Sequence, residues 1–128
     1  MIVPGASSAV RAEPFVGQIM MTGTNFCPRG WAEANGQLLA VPQNDALFSL
    51  FGTMYGGDGR TTFGLPDLRG RVAISKGDGP GLTPRRQGSR GGLEQVTASA
   101  GSRQVGVGLP FFTVTYCVAL VGIYPSRN

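Results

Sequence analysis

The chain carries 21 glycines and 9 prolines in 128 residues. Glycine weakens a helix interior by about 1 kcal/mol and proline by about 3 kcal/mol, so a mainly helical fold is excluded. Short strands, tight turns and ordered loops are expected instead. No G-x-y period runs through the sequence, which excludes collagen. Apolar residues make up 41%, enough to form a core, and the length suits one domain.

The residues that are absent narrow the chemistry. The chain has no histidine and only two cysteines, Cys27 and Cys117. No Ser-His or Cys-His dyad and no His-ligated metal is available, and no cofactor or metal is expected. Cys27 and Cys117 are either two buried thiols or one bridge. No apolar run is long enough to span a membrane. The opening MIVPGASSAVRAEPF has no basic leader and is not expected to act as a signal peptide. Net charge is +4, and every basic residue but Lys76 is arginine. Nucleic-acid binders concentrate such charge on one face. Here Arg85, Arg86 and Arg90 form a small cluster within a Gly/Pro loop. A solvated loop is the default reading, and contact with an anion or glycan, such as lipopolysaccharide phosphate, is the functional one. No nucleic-acid partner is expected.

Residues 1–12 lack a core pattern and read as an N-terminal arm; the domain spans 13–128. FVGQIMM (15–21) alternates as a first strand. WAEANGQLLAV (31–41) reads as a hairpin, because Asn35-Gly36 is a strong two-residue turn signal. Residues 44–52 are the helix. Asn44 stands at the N-cap, Asp45 suits the positive end of the dipole, and Leu47, Leu50 and Phe51 share one face. Gly52 stands where a positive-φ cap is expected. From Tyr55 to Gly92 the chain is dense in glycine, and within it Arg71-Val72-Ala73-Ile74 reads as a short strand. So long a loop calls for a function or a fixing neighbour, a first sign that one chain is not the whole folding unit. FFTVTYCVALVGI (111–123) is the strongest strand, apolar on both faces from Tyr116 onward.

The glycine-rich runs at 56–59 and 77–81 lack the Lys-Ser/Thr of a phosphate loop and read as turns. Asp58 and Asp78 are turn carboxylates without calcium-loop spacing. In Pro66-Asp67-Leu68-Arg69-Gly70-Arg71, no second acid or base supports catalysis, and Asp67 is expected to pair with Arg69 or Arg71. No serine has a base beside it, so no enzyme activity is expected. Trp31, Leu47, Phe51, Phe63 and Leu65 are the expected core.

Four segments together resemble the phage tail collar domain family, which includes the collar of short tail fibres and the microcystin-dependent proteins. They are EPFVGQI (13–19), NFCPRGWAEANGQLL (25–39), QNDALFSLFGTMYGGDGRTTFGLPDLRGRV (43–72) and YCVALVGIYPSRN (116–128). KGDGPGLTPRRQGSRGGLEQVT (76–97) matches the family's glycine-rich pattern between them. Family members continue with a His-bearing segment that is missing here, so the His-ligated metal of short tail fibres does not carry over. Many relatives have cysteine at the position of Ala34.

The resemblance implies an intertwined trimer. The expected fold is mainly β, an α+β arrangement with one short helix, hairpins and long ordered loops. The expected function is structural: a component of a phage tail, a phage-derived particle or a secreted fibre, located on the virion tail or outside the cell. It would assemble with itself, as a trimer or filament, and with other tail or fibre subunits. The alternative is a receptor-binding adhesin for surface glycan or lipopolysaccharide. Ile2, Val3 and Val10 of the arm, and Tyr116, Val118 and Leu120 of the last strand, are the expected oligomer contacts.

Overall fold

The computed structural model describes residues 13–92 and 110–127. It is mainly β with one short helix. Strand β1 (Ile19–Thr22), β2 (Trp31–Glu33), β3 (Leu38–Ala40), helix α1 (Asp45–Phe51), β4 (Thr62–Gly64) and β5 (Thr115–Ala119) follow in chain order. The strands form two antiparallel sheets, one ordered β1-β5-β2 and the other β3-β4. The C-terminal strand thus lies between two strands from the first third of the chain. Expected over 111–123, it is regular only over Thr115–Ala119. Phe111 and Phe112, ahead of it, are 89% and 90% exposed.

Both faces of β5 are covered by its own chain. Val118 lies opposite Ile19 and Ala32 and enters the core with Val16, Ala34, Leu47, Phe63 and Leu65. On the other face Cys117 is fully buried and bonded to Cys27, which lies in the segment between β1 and β2. Apolar residues on both faces therefore mark a strand enclosed within one domain.

Three local readings are corrected. The first strand begins at Ile19 rather than Phe15. Gln18 N–H returns to Phe15 O and Gly17 N–H goes to Ala119 O, so 15–18 form a turn, and Phe15 makes only a single parallel bridge to Ile123. The expected hairpin at Asn35-Gly36 does not form. That pair carries the chain from one sheet to the other, with β2 bonded to β5 and β3 to β4. Gly36 adopts φ +78°, and its N–H donates to Pro66 O at 3.1 Å, bringing the turn against Asp67. A turn residue dictates a reversal, not the partner on either side of it. Residues 71–74 form no strand, because no described strand lies beside them and all four are exposed.

The helix occupies the expected place. Its N-terminus works differently: Asn44 makes no side-chain cap bond and instead donates Nδ2–H to Ala40 O at 2.9 Å, tying the helix to β3. Gly52 closes the other end at φ +55°, donating its N–H to Phe48 O at 2.8 Å. Leu47 is fully buried, and Leu50 and Phe51 pack partly against the core. Ser49 and the Tyr124 hydroxyl lie 2.6 Å apart and hold the C-terminal segment to α1. Leu47, Phe63 and Leu65 are core, as expected; Trp31 is half-buried and stands outside the core cluster.

Candidate functional site

Two aspartates organise the turns around β4. Asp58 accepts the backbone N–H groups of Thr62, Arg60 and Thr61 and the Thr61 hydroxyl. These donors favour the charged carboxylate, the Thr62 N–H most of all, and hold it well below the usual range. Asp67 is held low chiefly by Arg69, which grips it with two bonds of 2.8 and 2.9 Å. Arg71 Nη1 donates to Asp67 O at 3.0 Å and stands 3.8 Å from its carboxylate. A depressed folded pKa stabilises above the unfolded value, about 3.9, and that stabilisation is lost as pH falls below it. Stability should therefore decline from about pH 5 downward. Asp58→Asn removes one titrating charge and should flatten that decline, as read by urea midpoints across the acid range. An unchanged slope would leave Asp58 without a part in acid sensitivity.

Beyond Leu68, which still packs against the core, the chain leaves it. Every residue from Arg69 to Gly92 is exposed except Gly79, which is half-buried. The lobe nevertheless has a definite backbone. Gly77 and Arg85 exchange two hydrogen bonds of 2.8 and 2.9 Å, and Gln87 Nε2 donates to the Tyr55 hydroxyl at 3.0 Å. Lys76, Arg85 and Arg86 line a hollow of about 80 Å³ together with Ser75, Gln87 and Ser89. Arg90 does not line it. The hollow offers three cationic side chains with no carboxylate in its wall, while its serine hydroxyls donate to backbone carbonyls; this suits an anion rather than a reaction.

The lobe also carries uncovered apolar side chains: Val72 is 83% exposed, Ile74 71% and Leu82 70%. Elsewhere, Ile19 and Met21 of β1 are open too, at 40% and 64%. Sequence reasoning placed Ile19 and Met21 on a first strand and assigned them no contact. The signal was present in their company: IMMT has no charge and no proline to guard an edge.

Among the expected oligomer contacts, Val118 is fully buried within its own chain and has no surface to offer a second copy. Tyr116 and Leu120 pack partly against the same core. Ile2, Val3 and Val10 lie outside the described residues. Among the described residues, no group of three or more Cys, Asp or Glu could hold a metal ion, and no helix is long and apolar enough to cross a membrane.

Comparison with known families bears on the first half of this architecture. Residues 17–73 match the Phage Tail Collar Domain. The collar match runs from β1 through β4 and ends inside the exposed Arg71–Ile74 run. Strand β5, which lies between β1 and β2, comes from beyond the matched segment. No curated protein matches the chain.

Proposed function

We propose that this protein is a non-enzymatic structural component of a phage tail, a phage-derived particle or a secreted fibre, and that it acts by self-assembly into a homo-oligomer. The collar match over residues 17–73 carries the reading. The exposed lobe supports it: apolar side chains held out on a defined backbone gain most when a neighbouring subunit covers them. The place of action is then the virion tail or the extracellular space, and the partners are further copies and other tail subunits. Electron microscopy and light scattering of the purified full chain test the reading. Trimers, rings or filaments are expected, and a chain that stays monomeric at high micromolar concentration overturns it.

A second reading, an adhesin for glycan or lipopolysaccharide, draws on the Lys76, Arg85 and Arg86 hollow. Arginine forks match phosphate and carboxylate geometry. On a glycan array this reading predicts selective binding to acidic glycans that is lost in Arg85→Ala/Arg86→Ala. Absence of binding by the unmodified chain would remove it.

A further inference from the structure

We propose that residues 71–75 of one copy add as an outer strand to the free edge of β1 in a second copy. The inference rests on the self-assembly reading and names its contact.

The acceptor follows from hydrogen-bond alternation. Ala119 N–H donates to Gln18 O at 2.9 Å, and the register sets Met20 opposite Cys117 and Thr22 opposite Thr115. In an antiparallel ladder, bonded pairs alternate with unbonded ones. The backbone groups of Met20 and Thr22 therefore face β5, and those of Ile19 and Met21 face outward. Among the described residues nothing pairs with them. The opposite edge of the same sheet is closed by its own chain. Trp31 N–H donates to Pro28 O, and Glu33 O accepts both Asn35 N–H and Gln37 Nε2–H. Glu33 adds a charge there, the usual guard of an edge. β1 has neither kind of protection.

The donor is the segment after the Asp67 turn. Among the described residues the backbone N–H groups of Val72 through Lys76 have no partner, and the run is bounded by the bonded N–H groups of Arg71 and Gly77. Val72 and Ile74 stand two apart, so in an added strand they would share one face. On β1 the residues that share a face are Ile19 and Met21, also two apart and also uncovered. Pairing the segments satisfies outward donors and acceptors on one side with those of the other. It also sets apolar pairs across the new ladder.

A second copy is invoked because the segment does not pair with β1 of its own chain: residues 71–74 are exposed and lie beside no described strand. Asn35 bridges Asp67 just past β2, so residues 67–70 leave from the β2 flank of the sheet. β1 is on the far flank, two strand spacings or about 10 Å away across β5. The two surfaces differ, so the contact is heterologous, and its repetition closes a ring or runs on as a filament.

Complementation tests the pairing. Met21→Lys places a charge on the acceptor edge; Val72→Asp/Ile74→Asp places charges on the donor. All three positions are exposed, so both variants are expected to fold. Light scattering over a dilution series should show each variant alone dissociating at a concentration at least about tenfold above that of the unmodified chain. Mixed together, they retain one intact donor and one intact acceptor, and a one-to-one pair should form. The same recovery is expected when both lack residues 1–11. An unmodified chain that assembles and is insensitive to both variants overturns this inference and leaves self-assembly standing. An unmodified chain that never assembles overturns both. Failure to recover on mixing points to a self-complementary edge contact and overturns the heterologous one. Recovery only when residues 1–11 are present assigns the β1 edge to the N-terminal arm, which also overturns it.

Discussion

Replacing Cys27 and Cys117 by alanine should destabilise the protein by about 2–5 kcal/mol, the usual cost of losing a native disulfide that closes a long loop. The bond joins residues separated by 90 positions, with a Cα–Cα distance of 5.8 Å. Most of the chain lies inside that loop, so the bond removes much freedom from the unfolded ensemble. It also acts where topology is weakest. β5 reaches its place between β1 and β2 only after all other described elements have been traversed, and its ladder to them is five residues long. Cys117 is fully buried at the middle of this strand, and Cys27 holds the segment from β1 to β2 over its outer face. Without the bond, three-residue β2 and four-residue β1 must hold β5 by hydrogen bonds and Val118 packing alone. Urea unfolding of the double variant, compared with the unmodified chain in oxidising and reducing buffer, measures the effect. Reductant should shift the unmodified chain toward the double variant. A loss below about 1 kcal/mol would mean that the sheet aligns β5 unaided.

The second large effect is expected at Phe63. Phe63→Ala should cost about 3–5 kcal/mol, the transfer of the ring plus the cavity left behind. Phe63 is fully buried in β4, and its ring centroid lies 5.4 Å from that of Phe48 on α1 at a tilted angle. It is the largest of the fully buried side chains and joins the helix to the two-stranded sheet. The site is unable to collapse easily around a hole. Gly57, at φ +89°, lies so close to the Phe63 backbone that any Cβ there would collide with it. Trp31→Ala is the control. Trp31 is half-buried and outside the core cluster, so its loss should cost clearly less than that of Phe63. Equal costs in chemical denaturation would place Trp31 among the core residues after all.

These effects separate what was legible locally from what was not. Helix α1 was legible because its signals sit within nine residues: a polar Asn44, three apolar positions on one face, and Gly52 to end it. The aspartate turn at 67–71 was legible for the same reason, its charges being neighbours in the chain. The Asn35-Gly36 hairpin was misread because the turn signal is local while strand pairing is decided by distant residues. The segment 71–74, expected as a strand, has no described partner in its own chain and forms none. Its pattern belongs, on the inference above, to a pairing between copies.

The sequence by itself determined the class of fold, the helix and its limits, the lack of a histidine site, and the collar pattern whose core includes Leu47, Phe63 and Leu65. These follow from backbone preferences and from burial of large apolar groups, both readable over a few residues. Tertiary structure alone decided that β5 runs between β1 and β2, that Cys27 and Cys117 are one bridge, and that Val118 is enclosed. It alone left the β1 edge and the 69–92 lobe uncovered. Those outcomes depend on which distant segments meet. A short strand carries too few side chains to name its partner, so the pairing is selected by the burial and hydrogen bonding of the whole assembly of elements.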